Sequence, residues 1–313
     1  MIAPSPLAIL EQALAWHDQG QATALVTLVG IAGSSSRALG TQMAVAASGG
    51  SLGSFSGGCI DDAIAADALA AIERSSGTTV RFGQGSPYID LRLPCGGGID
   101  LLFTPRPSLQ LLREAVAELR QRRRVELRIA EHGLTRDGPG YRLGLVPPLR
   151  ITAFGAGEDF AAFLRLAQVY GAECLGHTPD AELAAQLNAE GLCVVHLATL
   201  GQLLPLVGDP WTAFVFLFHD RDWEDALLPR VLALPALFCG AVGSPRTHAL
   251  RLERLRTAGC SEAWLSKLRG PIGLIAATRD PATLAISALA EVAGVYSAAV
   301  NAEPRIKAPA PAG

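Results

Sequence analysis

The chain has 313 residues, half of them apolar and only 18% charged, which is ample material for buried cores and excludes a disordered or fibrous protein. This length favours two domains. The formal net charge of −3 argues against nucleic acid or an anionic membrane as the partner, and we expect small ligands and other proteins instead.

The first half of the chain predicts a β-rich domain. It opens with a helix that has Leu7, Leu10 and Leu14 on one face, without the basic and apolar segments of a signal peptide. The apolar runs of the chain are all shorter than a membrane span, so we expect none. Without a signal peptide, we expect a cytoplasmic protein. The predicted strands are ALVTLVGI, TQMAVAA, SLGSFS, TTVRF, IDLRL, IDLLF, VELRIA and YRLGLV, and two helices interrupt them.

The second half predicts a different architecture. After Pro147 and Pro148 come short apolar runs without alternation, separated by helical stretches: LRITAF, AECLG, LCVVHL, AFVFLF and ALFCGA. The predicted fold is therefore α/β, with an N-terminal β-rich α+β domain over 1–147 and a Rossmann-like, doubly wound parallel-sheet domain over 148–305. A disordered tail is expected over 306–313.

Two cysteines lie beside glycines in the first half. Gly57 and Gly58 precede Cys59 where a strand turns into a helix, so backbone amides and the helix start favour an anion and an ionised thiol. Cys95 precedes Gly96 and Gly97 in a loop, where missing side chains suit close approach of a ligand. A tight turn with a buried cysteine explains the stretch at Cys59 equally well. A flexible hairpin explains the loop at Cys95 equally well.

A third glycine-rich and serine-rich stretch spans residues 33–40. Its hydroxyls, including that of Ser35, and the guanidinium of Arg37 suit a phosphate or the edge of a pterin. An ordinary surface loop is the alternative. The chain has six cysteines but no C-x-x-C pair, which disfavours a zinc ribbon or a thioredoxin-like motif.

The second domain opens with Gly155-Ala156-Gly157 after its first strand, where a dinucleotide fingerprint belongs. Glu158 and Asp159 place negative charge at the pyrophosphate position, and Phe160 occupies a position that favours a small residue. The second strand ends in His177, not in the acidic residue that binds ribose. We therefore expect no NAD(P) at this site.

Polar residues also follow later strands of this domain, at the edge where open α/β sheets bind ligands. These candidate ligand contacts are His219, Asp220, Gly243, Ser244 and Arg246. Instead of binding a ligand, His219 and Asp220 could form a local hydrogen-bonding or capping pair. Ser244 could simply begin a helix.

The order of motifs resembles one family, the XdhC/CoxI-type accessory proteins of molybdenum hydroxylases. The resemblance rests on GSSSRALGTQM, GSFSGGCIDD, LPCGGGIDLLF, FGAG, FHDRDWED, CGAVGSPRT, RGPIGLIAA and DPATLAISALAEV, which span nearly the whole chain. It implies a chaperone that binds molybdenum cofactor (molybdopterin), supports its sulfuration together with a cysteine desulfurase, and delivers it to an apo molybdenum hydroxylase of the xanthine dehydrogenase or aldehyde oxidase type. It also favours a homodimer.

The resemblance assigns Cys59 and Cys95 to the family's two cysteines and Arg37 to the arginine of its serine-rich loop. Our hypothesis is that the cysteines meet at the domain cleft and hold the cofactor through its metal or a transferable sulfur, as catalytic residues and metal ligands. Glu158, Asp159, Phe160 and His177 depart from the family pattern, and Asp61 replaces its usual Glu. An NAD(P)-dependent oxidoreductase and a docking scaffold that binds no cofactor are the alternatives.

Overall fold

The computed structural model describes residues 4–58, 60–86, 96–202, 205–218, 220–302 and 305–308. The chain forms two compact units: Ala3–Pro147 together with Val300–Gly313, and Pro148–Ala299. The predicted strand IDLRL, at 89–93, lies outside the described residues.

Among its described residues, the first unit is built from antiparallel strands and three helices. Its elements in chain order are α1 (Pro6–Asp18), β1 (Thr23–Ala32), β2 (Gln42–Ala46), β3 (Ser51–Leu52), α2 (Asp61–Arg74), β4 (Thr78–Gly83), β5 (Gly98–Pro105), α3 (Leu109–Arg120), β6 (Val125–Ala130), β7 (Gly133–Thr135) and β8 (Tyr141–Leu145). The strand predicted over SLGSFS is reduced to β3, because the residues that follow turn back toward the start of α2.

The main sheet of the first unit has the order β3-β2-β1-β5-β4 and is covered on both faces. Successive side chains of a strand point to opposite faces. Accordingly, Val26 packs with Ile64 of α2 in one core, while Leu25 packs with Leu10 of α1 and Leu127 of β6 in another. This sheet therefore fixes the ends of β1, β3 and β5, from which the glycine-rich segments extend.

The end of the chain returns to the first unit. Ile306–Lys307 forms strand β15, which pairs antiparallel with β8 and completes a four-stranded sheet of order β15-β8-β6-β7. Ile306 is only 6% exposed in the core of this unit, so burial of an apolar side chain orders the segment. The predicted tail over 306–313 is therefore wrong at its first residues, and 309–313 lie outside the described part. The second unit also ends at Ala299 and not at 305.

The second unit is a doubly wound α/β domain, as predicted. Its elements are β9 (Arg150–Gly155), α4 (Gly157–Tyr170), β10 (Glu173–Thr178), α5 (Ala181–Ala189), β11 (Val194–His196), β12 (Thr212–Leu217), α6 (Arg221–Leu232), β13 (Phe238–Ala241), α7 (Pro245–Thr257), α8 (Glu262–Leu265), β14 (Leu268–Arg269) and α9 (Pro281–Asn301). All its strands are parallel, in the order β11-β10-β9-β12-β13-β14. The order reverses between β9 and β12, where such sheets bind ligands.

Helix α9 is long and apolar enough, by length and composition, to cross a membrane. A core helix of a soluble protein passes the same test, and Ala288 and Val292 of α9 are fully buried in the second unit's core. Its side chains also hold the loop after β14, where Glu291 accepts from the Gly273 amide at 2.6 Å and Ser287 from the Ile275 amide at 2.7 Å. The absence of a membrane span stays a prediction.

Candidate functional site

The serine-rich loop, residues 33–40, lies between β1 and β2. The Arg37 side chain is half-buried, and its Nε donates a hydrogen bond of 2.9 Å to the Ser54 carbonyl oxygen. The Ser35 hydroxyl accepts from the Arg37 amide at 3.1 Å, which fixes the backbone around the arginine. Within the described part of the chain, the terminal guanidinium nitrogens have no hydrogen-bond or ion-pair partner, so they are available to an anion.

The turn before Cys59 is organised by Asp61, a role that the sequence interpretation missed. The Asp61 carboxylate accepts from the Ser54 hydroxyl at 2.6 Å and from the Phe55 and Ser56 amides at 3.0 and 3.3 Å. An internal carboxylate thus occupies the position that the sequence offers to an external anion at these two amides. Because carboxylates bind amides in such turns, the pattern S-x-S followed by an acidic residue at the helix start is the signal that points to it.

Gly57 and Gly58 of this turn have room around their backbone. The Gly57 amide donates to the Ser54 hydroxyl at 2.8 Å, whereas the Gly58 amide has no partner among the described residues. Both glycines have a positive φ, +74° and +122°, and no atom lies within 4 Å of where a side chain would begin. The backbone at Gly57 and Gly58 therefore faces open space among the described residues.

The glycine triplet after Cys95 is packed against the serine-rich loop. A side chain on Gly97 would meet the Ser34 and Ala32 carbonyl oxygens at 2.6 and 2.7 Å. The protein's own backbone therefore approaches this buried glycine closely, and a ligand contact at Gly97 stays a prediction. Gly96, in contrast, is exposed, and a side chain there would meet nothing within 4 Å.

The three predicted segments of the first unit thus converge on one loop. Arg37 bonds to the turn that leads to Cys59, and Ser34 lies against Gly97, two positions after Cys95. Cys59 and Cys95 themselves lie outside the described residues, as does His219 of the second unit. Within the described part, no group of three His, Cys, Asp or Glu residues is arranged to hold a metal ion.

Three of the four described cysteines have a raised pKa. Burial raises the pKa of Cys174 and of Cys239 to about 12, and it also raises the pKa of Cys260. These three thiols stay protonated near neutral pH. Cys193 is exposed in the second unit.

In the second unit, the Gly-Ala-Gly segment leads from β9 into α4. Gly155 is buried, and a side chain on it would meet the Leu217 carbonyl oxygen at 2.8 Å and the Phe160 ring at 2.9 Å. Gly176 of β10 also makes room for the Phe160 ring, because a side chain at that position would come within 2.9 Å of the ring. Gly157, with φ +69°, faces open space, and the exposed Glu158 follows it in the first turn of α4.

His177 is buried at the carboxyl end of β10. It is 3% exposed, and neither ring nitrogen has a hydrogen-bond partner within the described part of the chain. Its ring stacks on Phe154 at 4.9 Å, and Phe154 stacks on Phe216 at 4.8 Å, in a row across three neighbouring strands. Burial lowers the pKa of His177 to about 4, so the ring is neutral near pH 7.

The other candidates of the second unit stand at helix starts. Asp220 caps α6 by accepting from the Asp222 amide at 2.9 Å, and Ser244 caps α7 by accepting from the Thr247 amide at 3.0 Å. Gly243, with φ +139°, and the exposed Arg246 flank that cap. Because β9, β12 and β13 are adjacent and parallel, the segments that follow them lie along the same edge of the sheet.

A buried ion pair ties two of these segments together, and the sequence interpretation missed it. The side chains of Arg251 in α7 and Glu224 in α6 are only 1% and 3% exposed, and Arg251 Nη2 lies 2.7 Å from Glu224 Oε1. Arg251 also donates a hydrogen bond of 2.8 Å to the Val242 carbonyl oxygen. His248 Nδ1 lies 3.4 Å from Arg251, and burial together with that guanidinium lowers the pKa of His248. Glu224 within FHDRDWED carries no sequence signal that separates it from surface acids.

Comparison with known proteins agrees with this architecture. Residues 151–292 match the XdhC Rossmann domain, and residues 16–83 match the XdhC and CoxI family. The molybdenum cofactor insertion chaperone PaoD of Escherichia coli (strain K12) is 34% identical over 290 residues, which cover 88% of this chain and 84% of that protein. A crystal structure described as a xanthine dehydrogenase from Bacillus halodurans aligns with a TM-score of 0.74 at 18% identity, over 92% of this chain and 96% of that one. At this identity the likeness shows the fold alone.

Proposed function

Because the chain belongs to the XdhC and CoxI family, as its motifs predicted, we propose that it is a molybdenum cofactor chaperone. In this role it binds the cofactor as cargo and inserts it into an apo molybdenum hydroxylase of the xanthine dehydrogenase or aldehyde oxidase type. The name of the Escherichia coli relative, an insertion chaperone, supports the proposal. A cysteine desulfurase supplies sulfur to the bound cofactor before insertion.

The observation that carries the proposal is the convergence on the serine-rich loop. Arg37 and Ser34 of this loop contact the two glycine segments that flank the candidate cysteines. A soft thiolate is the protein ligand that suits molybdenum and transferable sulfur, and a guanidinium suits a phosphate or a pterin edge. We therefore assign Cys59 and Cys95 to the metal or its sulfur, and the terminal nitrogens of Arg37 to the organic part of the cofactor.

The open glycines support the same assignment. No atom lies within 4 Å of a side-chain position at Gly57, Gly58 or Gly96, so a flat ligand can approach the backbone there. The Ser35 hydroxyl holds the backbone of Arg37 and acts on the ligand through it. Gly97 supports the ligand by letting its segment pack closely on the serine-rich loop.

For the second unit we propose a supporting contact with the cargo and no NAD(P). The segments with Gly155, Gly157, Asp220, Gly243, Ser244 and Arg246, and His219 beside them, follow strands at the sheet edge that binds ligands. Glu158 would repel a pyrophosphate at the start of α4, and the buried neutral His177 replaces the acid that binds ribose.

We further propose a cytoplasmic homodimer. Helix α9 supports this, because its exposed side carries small or apolar residues at every fourth position: Ala282, Ile286, Ala290, Gly294 and Ala298. Ile286 is 53% exposed, and apolar surface of this kind is typically buried between subunits. Analytical ultracentrifugation tests this. We expect the wild-type chain to sediment as a dimer and an Ala290→Arg variant to sediment as a monomer.

The deciding experiment compares Cys59→Ala and Cys95→Ala with Cys193→Ala, which removes an exposed thiol from the second unit. Each protein is incubated with molybdenum cofactor and re-isolated, and its pterin is quantified by fluorescence after oxidation. Activation of the apo-hydroxylase is measured in parallel. We expect both candidate variants to lose cofactor and activation while the Cys193 variant keeps them.

Three results would overturn the proposal. Full activation by both candidate variants excludes their assigned role. Saturable binding of NAD(H) with turnover, measured by titration of the wild-type chain, identifies an oxidoreductase instead, an alternative favoured by the Gly-Ala-Gly segment at the strand-order reversal. Recruitment of the hydroxylase without any retained pterin identifies a docking scaffold.

A further inference from the structure

The outer face of the four-stranded sheet of the first unit carries a row of cations. Lys307 of β15 lies directly opposite Arg142 of β8, and Arg142 lies directly opposite Arg128 of β6. Residues paired in this way point to the same side of a sheet, on strands about 4.8 Å apart. The apolar residues that alternate with them, such as Leu127 and Leu143, face the core, so the three cations face outward.

A fourth cation joins this row. The Arg124 guanidinium lies over Gly144, since a side chain on that glycine would meet its Nη2 at 3.0 Å. It also approaches Glu126 Oε1 at 3.8 Å, and Arg142 bonds to the other oxygen of Glu126. We call Arg124, Glu126, Arg128, Arg142 and Lys307 the basic face.

The basic face is unbalanced in charge. Among the described residues, Glu126 is the one carboxylate of this face, and neither Arg128 nor Lys307 has an ion-pair partner. Like charges directly opposite each other destabilise a sheet. The whole chain has a net charge of −3, so this local excess of positive charge does not follow from the composition. A local arrangement that lowers stability is expected where it serves binding.

We propose that the basic face is the docking surface for an acidic patch on the apo molybdenum hydroxylase. This inference rests on the proposed function, which requires the chaperone to meet its client and then leave it. Complementary charges on exposed surfaces speed the encounter of two proteins and add little to the lifetime of the complex. The Arg142 and Glu126 side chains are 41% and 40% exposed, and Lys307 is exposed, as such an encounter requires.

The shape of the surface favours a protein over a small anion. Arg128, Arg142 and Lys307 stand side by side on three adjacent strands, about 4.8 Å apart, so these cations are spread across the face of the sheet. A small anion is usually held by groups that enclose it. A protein surface with several separated carboxylates matches a row of separated cations.

The test combines Arg128→Gln with Lys307→Gln, which removes the two unpaired cations. The matched control combines Arg74→Gln with Lys267→Gln, on α2 and after α8. Both are exposed cations without an ion-pair partner among the residues that the structure describes. Association with the purified apo-hydroxylase that the wild-type chain binds is followed by surface plasmon resonance over a range of NaCl concentrations. Duplex DNA and phosphatidylserine vesicles serve as further analytes, and retention of pterin is measured for every variant.

We expect the Arg128 and Lys307 variant to associate with the hydroxylase about tenfold more slowly at low salt, with a weaker salt dependence. The control pair, and a charge-preserving Arg128→Lys with Lys307→Arg variant, should match the wild-type chain. An unchanged association rate overturns the proposal, and so does a loss of binding to DNA or vesicles alone. If the proposed function itself is wrong, the wild-type chain will retain no pterin, and this result is independent of the association rates.

Discussion

Two hydrogen bonds, of 2.8 and 2.7 Å, join the guanidinium of Arg251 to the two carboxylate oxygens of Glu224 in the interior of the second unit. The pair links α7 to α6, and its third bond reaches the Val242 carbonyl oxygen just after β13. It therefore holds together the segments that carry Asp220 and Ser244. Because both groups are almost fully buried, each depends on the other for its charge to be tolerated.

A Glu224→Gln substitution should lower the free energy of unfolding by about 3–5 kcal/mol, since it leaves the Arg251 charge buried and unpaired. Urea denaturation followed by circular dichroism measures the change. The control is Arg165→Gln, which breaks the exposed pair between Arg165 and Glu190 and should have a much smaller effect. Equal losses in the two variants would contradict a special role for the buried pair.

The carboxylate of Asp61 should control the order of the turn before Cys59. An Asp61→Ala substitution removes the acceptor of the Phe55 and Ser56 amides, so we expect a loss of about 1–3 kcal/mol in unfolding free energy. Amide hydrogen exchange in residues 54–58 should become faster. Asp62→Ala, at the exposed neighbouring position, should leave the exchange of this turn unchanged, and similar acceleration in both variants would argue against the assignment.

The glycines after Cys95 should respond differently to alanine. At Gly97 a new side chain would overlap the Ser34 and Ala32 carbonyl oxygens, whereas at Gly96 it would meet nothing and carry only the penalty of φ +68°. We expect Gly96→Ala to lower stability by about 1 kcal/mol and Gly97→Ala to lower it severalfold more. Thermal unfolding compares them, and the reverse order would refute the packing described for the serine-rich loop.

Much of this architecture follows from the sequence because it depends on local patterns. Alternation of apolar residues identifies β6, and unbroken apolar runs such as the one at Thr212–Leu217 identify the parallel strands. The family follows from the number and order of its motifs. These features need no knowledge of which distant residues meet.

The features that escaped prediction depend on distant contacts. The buried Arg251 and Glu224 are 27 positions apart and resemble surface residues in the sequence. Ile306 joins a strand only because the chain returns to β8, and Phe160 fits beside β9 only because Gly176 leaves room for it. Pairings of this kind are set by the tertiary fold, and one sequence does not show them.

Acidification should destabilise the second unit through His177. Burial holds the pKa of its imidazole at about 4, against an ordinary value of 6.5 in the unfolded chain. Between pH 6.5 and pH 4, His177 is protonated in the unfolded chain but stays neutral in the folded one. The free energy of unfolding therefore falls as the pH drops through this range. The loss attributable to this ring reaches about 3 kcal/mol at the lower end.

A His177→Phe variant tests this directly, because phenylalanine keeps the stack on Phe154 and has no nitrogen to leave without a partner. Urea unfolding at pH 7 and at pH 4.5 gives the difference in stability between variant and wild type at each pH. That difference should grow in favour of the variant at the lower pH, since His248 and the carboxylates are shared by both proteins and cancel. His132→Gln, at an exposed turn, serves as the control variant. A difference that stays constant with pH would mean that His177 is protonated as readily in the folded chain as in the unfolded one.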